Sequence, residues 1–92
     1  MNLSKDQLEM LERLGAHYFT FREAAIVIEV SENDLKKLIA DSTSEAHKRY
    51  YKGKFTSDLE LRESIMKMAK RGSNPAQKMM VEIREQTNLG NL

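Results

Sequence analysis

The chain contains no cysteine, so neither a disulfide framework nor a thiolate metal site can form. Its longest uninterrupted apolar run is AAIVI, far short of the roughly 20 residues that a membrane-spanning helix needs. The opening MNLSKDQLEM lacks the basic and then apolar segments of a secretion signal. These absences predict a soluble intracellular protein, and 92 residues have room for one domain with a modest core.

Residues that could support catalysis or bind a cofactor are also scarce. The two histidines, His17 and His47, are far apart in sequence, and neither has an acidic pair at the spacing of a metal site. No glycine-rich loop that could hold a phosphate group is present. The sequence therefore predicts a protein that is not an enzyme and that binds no metal and no cofactor.

The net charge is only +1, but the charges are distributed unevenly along the chain. Residues 1–35 hold three basic and seven acidic residues, a net −4. Residues 36–54 hold six basic and two acidic residues, a net +4. An acidic first third is thus followed by a basic centre.

Helix starts are marked by capping boxes, in which a Ser or Thr precedes an acidic residue or Gln by three positions. Ser4 with Gln7, Thr20 with Glu23, and Ser31 with Asp34 have this spacing near the starts of the first three helices, and Ser57 with Glu60 offers another box inside the region 44–71. The first three pairs predict a first helix that ends near Gly15 and a pair of short helices over about 20–41.

The second half predicts a long helix or a helix pair over about 44–71 and a last helix over about 75–87. One continuous helix is favoured, although Gly53 inside it costs about 1 kcal/mol relative to Ala. Gly72 suits the residue after a helix, Asn74 suits an N-cap and Pro75 suits the first helical position. No strand-like alternation and no repeat occurs, so residues 1–92 are predicted to form one all-α domain, a small helical bundle that contains a helix-turn-helix.

The paired helices at 20–41 have the spacing of a helix-turn-helix. In that motif two helices enclose a common core while the second stays free to enter the major groove of DNA. The residues with the required spacing are Ala25, Val30, Leu35 and Leu38, and the core of the pair is predicted to consist of Ala25, Ile28, Leu35 and Leu38. Glu29 stands at the turn position that glycine usually takes, so it must accept a less favourable backbone conformation. Two amphipathic helices in any small bundle would show the same pattern, and the DNA-binding interpretation is favoured over that one.

Basic residues and tyrosines alternate in the segment HKRYYKGK, residues 47–54. Lys and Arg neutralise phosphates without regard to sequence, whereas base edges are read by residues of the recognition helix. The alternative is a solvated helix face with Tyr50 in the core. The predicted DNA-binding residues are Asn33, Lys36, Lys37, Lys48, Arg49, Lys52 and Lys54.

From the helix-turn-helix onward, the chain resembles the N-terminal region of bacteriophage terminase small subunits. The positions that carry the resemblance lie between residues 20 and 85 and are Tyr50, Gly53, Lys54, Leu61, Arg62, Ile65, Ala69, Lys70, Gly72, Pro75 and Ala76. The resemblance implies a non-catalytic subunit that binds double-stranded viral DNA through the helix-turn-helix and assembles into a homo-oligomeric ring. It also implies that a terminase large subunit, the motor and nuclease, receives the DNA for packaging, and that the protein acts in the cytoplasm of a bacterial host.

Two other functions fit the same residues. A helix-turn-helix transcriptional regulator would read paired half-sites, and a helical protein-interaction module would bind no nucleic acid. Apolar residues late in the chain exceed what one small bundle needs and predict self-association; they are Met66, Met68, Met79, Met80 and Ile83.

Overall fold

The computed structural model describes residues 1–91, which form five α-helices and contain no strand. The helices are α1 (Lys5–Ala16), α2 (Phe21–Ile28), α3 (Glu32–Ala40), α4 (Glu45–Lys70) and α5 (Asn74–Gly90). The prediction of an all-α protein is confirmed, and the region 44–71 is one helix. The chain divides into two compact units, one of residues 1–57 and one that starts at Asp58, and α4 continues from the first into the second.

Capping boxes open the first two helices as the sequence predicts. The Ser4 hydroxyl accepts from the Gln7 amide at 3.1 Å, and the Gln7 side chain accepts from the Ser4 amide at 2.8 Å. Thr20 and Glu23 make the same reciprocal pair at 3.2 and 2.9 Å. Each box satisfies two amide groups that a helix start would otherwise leave unpaired.

The turn between α2 and α3 depends on a left-handed residue. Glu29 has φ 60° and ψ 49°, the conformation that its position in the motif predicted. The Ser31 hydroxyl then accepts from the Asp34 amide at 3.4 Å and starts α3. The side-chain amide of Gln7, in α1, donates from Nε2 to the Ile28 carbonyl at 3.0 Å and satisfies an acceptor at the end of α2.

The core of the first unit lies between α1, α2, α3 and the beginning of α4. Its buried members are Leu11, Leu14, Ala24, Ala25, Ile28, Leu35, Ile39, Ala46 and Tyr50. Leu38, expected in the centre of the helix pair, is only half-buried, because it borders an open cavity beside Met1 and Leu8. Ile39, 2% exposed, takes the buried position at the end of α3.

Two glycines allow α1 and α4 to approach each other closely. A Cβ on Gly15 would overlap the carbonyl oxygen of Tyr50, and a Cβ on Gly53 would overlap that of Glu12 and lie 2.9 Å from the Ala16 amide nitrogen. Gly15 lies one residue before the end of α1, where the sequence predicts that the helix ends, and Gly53 lies inside α4 despite its unfavourable helix propensity. Both lie inside helices, and their lack of a side chain makes the contact possible.

Side chains of α4, and of the residue just before it, donate to or bond carbonyl groups at the ends of α1 and α3. The Ser44 hydroxyl donates to the Leu38 carbonyl and His47 Nδ1 bonds the Ile39 carbonyl, both at 2.6 Å. The Ser57 hydroxyl donates to the Ala16 carbonyl at 2.6 Å. The last carbonyls of a helix have no partner within it, so these bonds fix α4 to both earlier helices.

In the second unit, α4 and α5 form a helical hairpin. Gly72, at φ 98°, makes the turn, and Gln77 at the start of α5 donates to the Ala69 carbonyl at 3.0 Å. The N-cap is Ser73, whose hydroxyl accepts from the Ala76 amide, so the prediction of Asn74 as the cap is wrong by one residue. Helix α5 also continues to Gly90, beyond the predicted end at 87.

Candidate nucleic-acid interface

One side of α3 packs on the core and the other is open. Leu35 and Ile39 are buried on the inner side. Asn33, Lys36 and Lys37 are exposed, and at 100° per residue they span about 100° of the helix circumference on the outer side. The three predicted residues of the recognition helix therefore share one face.

This face carries an ion pair of its own. Lys36 Nζ lies 3.1 Å from Glu32 Oε1, one turn earlier in α3, and the two side chains are 54% and 40% exposed. Exposed pairs at this spacing are worth about 0.3–0.5 kcal/mol. Breaking the pair so that Lys36 could bind another anion would therefore cost little.

Acidic groups on both sides of the helix-turn-helix stay ionised at neutral pH. The backbone amide and hydroxyl of Thr20 hold the pKa of Glu23 below its ordinary value. Hydrogen bonds from the side chain and amide of Thr43 lower the pKa of Asp41 at the end of α3. The motif therefore carries negative charge that opposes the approach of DNA.

Two of the predicted basic residues on α4 face α1. Arg49 Nη1 lies 3.4 Å and Lys52 Nζ lies 4.0 Å from the same oxygen, Oε1 of Glu12. Sequence reasoning did not single out Glu12, which is 37 residues from Arg49. Its carboxylate offsets part of the positive charge of the segment 47–54.

The remaining basic residues of α4 point elsewhere. Lys48 is exposed, and Lys54 is half-buried with its Nζ 5.9 Å from the centre of the Tyr51 ring. Arg49 and Lys54 differ by about 140° around the helix axis. The four basic residues of α4 therefore do not form a single face.

The aromatic residues of this segment have separate roles. Tyr50 is buried, as the alternative interpretation expected; its hydroxyl donates to the Phe19 carbonyl at 2.6 Å, and its ring meets Phe21 edge-on at 5.1 Å. Burial raises the pKa of Tyr50 above its ordinary value. Tyr51 stacks on the exposed Phe55 at 5.5 Å. Because the Tyr50 hydroxyl is already bonded, it is not free to contact a phosphate.

Within residues 1–91, no group of three or more His, Asp or Glu side chains is arranged to hold a metal ion. Over the same residues, no helix has the length and apolar character needed to cross a membrane.

Comparison with known proteins yields no match: no family model, no curated protein and no solved structure is significantly similar to this chain.

Proposed function

We propose that the chain is a non-catalytic subunit that binds double-stranded DNA and, like the phage terminase small subunits it resembles, selects viral DNA for packaging by a motor and nuclease subunit. The observation that carries the proposal is the geometry of α2 and α3. Their turn has the left-handed residue that the motif requires, and the outer face of α3 presents Asn33, Lys36 and Lys37. An amide that can read a base edge stands beside two cations that can reach phosphates.

Binding by a single copy should be weak and dependent on salt. Glu32 and Asp34 lie in the first turn of α3, where the helix dipole would otherwise attract a phosphate. Affinity then depends on the basic residues, and each neutralised phosphate contributes about −0.9 to the slope of log affinity against log salt. A homo-oligomer such as a ring would add several weak contacts together.

Charge reversal on α3 tests the DNA-binding proposal. Lys36→Glu with Lys37→Glu should abolish retention of a DNA duplex in a gel shift at low salt. The matched control is Lys5→Glu with Arg13→Glu, which makes the same change in net charge on exposed positions of α1. The control should keep most of the binding, and thermal melts should show that both variants fold.

A third variant tests the role of the carboxylate between α1 and α4. Glu12→Gln leaves Arg49 and Lys52 without their anion and should tighten DNA binding at low salt. Binding by the Lys36/Lys37 variant that equals the parent's would mean that α3 does not face DNA. A protein-interaction module would then be the better proposal.

The packaging role needs its own test, because a transcriptional regulator would also bind DNA. With DNA present, the chain should form a complex with the motor and nuclease subunit from the same genome, measured by co-sedimentation of the purified proteins. Failure to form that complex, together with tight binding to one defined operator sequence, would favour the regulator.

A further inference from the structure

The hairpin formed by α4 from Asp58 onward and by α5 buries little of its apolar surface. Among its described residues, only Ala76 is fully buried. The other members of its inner line are half-buried, and they are Ile65, Ala69, Met80 and Ile83. Helices in proteins are stabilised mainly by packing of their apolar faces. The hairpin therefore lacks a core that would account for two helices of this length.

Three exposed apolar residues lie on one side of the hairpin, and we call them the outer apolar face. They are Leu61, Met68 and Met79, at 55%, 49% and 49% exposure. Leu61 and Met68 are seven residues apart, about two turns, and so lie on the same side of α4.

The other side of the hairpin has a groove of about 280 Å³. It is lined by residues of both helices, namely Met66, Met80, Val81 and Arg84. On α4, Met66 and Met68 are about 160° apart. On α5, Arg84 and Met79 are about 140° apart. Met68 and Met79 therefore share the side that faces away from the groove.

The hairpin also has opposite charge at its two ends. The end at the turn holds four basic residues and no acidic ones, namely Lys67, Lys70, Arg71 and Lys78, a net +4. The open end holds five acidic residues (Asp58, Glu60, Glu63, Glu82 and Glu85) and two basic ones (Arg62 and Arg84), a net −3. At 1.5 Å per residue the two ends are about 15 Å apart, which exceeds the Debye length of about 8 Å at physiological salt. Each end therefore acts as a separate charge.

We infer that the outer apolar face is covered by the same face of a second copy of the chain, in antiparallel orientation, so that two hairpins form a four-helix bundle. A parallel pair would place +4 beside +4 and −3 beside −3. An antiparallel pair places each basic turn end against the acidic open end of the other copy. This pairing goes beyond the proposed function, because it requires no DNA.

The positions of the apolar residues agree with a two-fold axis. Leu61 and Met68 are equally distant along α4 from the midpoint between Ser64 and Ile65. Rotation about an axis at that point puts Leu61 of one copy opposite Met68 of the other. Ser64, exposed and small, lies beside the axis, where it permits the two α4 helices to approach to the usual 8–10 Å between helix axes.

Mass measurement tests whether the face is an interface. Sedimentation velocity of the parent at high micromolar concentration should show a dimer or an assembly of dimers. Leu61→Gln with Met68→Gln should weaken association at least about tenfold, since it removes apolar area that only the second copy would bury. Leu59→Gln with Met66→Gln is the matched control, because Leu59 and Met66 are 57% and 39% exposed on the opposite side of α4. The control should associate like the parent.

Cross-linking tests whether the two copies are antiparallel. Because the chain has no native cysteine, only the introduced cysteines can form a disulfide. Under oxidising conditions, a mixture of the Leu61→Cys and Met68→Cys variants should give a mixed disulfide in higher yield than either variant alone. High salt should reduce that yield, because charge at the ends favours the antiparallel pair.

Two results would overturn the inference: a strictly monomeric parent, or a disulfide that forms most readily within Leu61→Cys alone. Neither result would remove the difference in the gel shift between the Lys36→Glu/Lys37→Glu variant and its Lys5→Glu/Arg13→Glu control, because the residues of both variants lie in the first unit. Loss of DNA binding in the Lys36→Glu/Lys37→Glu variant with an unchanged mass would in turn leave the pairing intact.

Discussion

The contact between α1 and α4 predicts that replacing Gly53 with alanine destabilises the protein although it favours the helix. In an isolated helix, Gly53→Ala would gain about 1 kcal/mol. In the folded chain the new Cβ would overlap the carbonyl oxygen of Glu12 and lie 2.9 Å from the Ala16 amide nitrogen. These are backbone atoms of a helix, so they cannot turn aside as a flexible side chain could, and α1 has to move away from the core.

Overpacking of this kind costs about 1–3 kcal/mol, and more when backbone must move. Because the overlap is with backbone, we expect a cost of about 3 kcal/mol or more. After the helix gain of about 1 kcal/mol, the net loss is about 2 kcal/mol or more, which lowers the melting temperature by about 8 °C or more for a chain of this size. Thermal unfolding followed by circular dichroism measures it.

Gly90→Ala is the control, since a Cβ there meets no atom within 4 Å, and its melting temperature should be unchanged or slightly higher. A peptide of residues 45–70 with Gly53→Ala should be more helical than the parent peptide. If the full-length Gly53→Ala variant melts at or above the parent temperature, the close contact between α1 and α4 is wrong.

Two further substitutions test the turn and the buried tyrosine. Glu29→Gly should raise the melting temperature, because φ 60° costs a residue with a side chain about 1–2 kcal/mol that glycine does not incur; Glu29→Ala, which removes the carboxylate but keeps the Cβ, should not. Tyr50→Phe should cost about 0.5–1.5 kcal/mol at neutral pH, since it removes the hydrogen bond from the tyrosine hydroxyl to the Phe19 carbonyl. The folded pKa of Tyr50 is raised above its ordinary value of 10.0, so its contribution is complete below that pH and is lost as the pH rises through the folded pKa. The melting temperature of Tyr50→Phe should accordingly depend less on alkaline pH than that of the parent.

The start of each early helix could be predicted because it depends on residues three positions apart. Ser4 and Thr20 each bond an amide and a side chain within their own first turn, so both partners of the interaction can be read from the local sequence. The strained conformation of Glu29 could be predicted for the same reason, since the motif fixes which position turns. The cap of α5 was wrong by one residue because Ser73 and Asn74 are both good caps and the sequence alone does not choose between them.

Contacts between distant helices could not be predicted in this way. Gly53 has an unfavourable helix propensity, and only the position of α1 against it shows that a side chain is excluded there. Leu38 and Ile39 are adjacent apolar residues, and the side of α3 that meets the core decides which of them is buried. The partner of Arg49 lies in another helix, so no local pattern indicated that Glu12 would hold it.

The ion pairs of Glu12 with Arg49 and Lys52 bear on how the chain could bind DNA. Arg49 and Lys52 each face Glu12, but the side chains of all three are partly exposed, so these ion pairs contribute little to stability. The approach of α1 to α4 depends instead on Gly15 and Gly53, where backbone meets backbone. A phosphate could therefore replace the carboxylate of Glu12 without separating the helices. Under the proposed function, Glu12 would compete with DNA for Arg49 and Lys52 and would not be a structural residue, so Glu12→Gln should change DNA binding while leaving the melting temperature nearly unchanged.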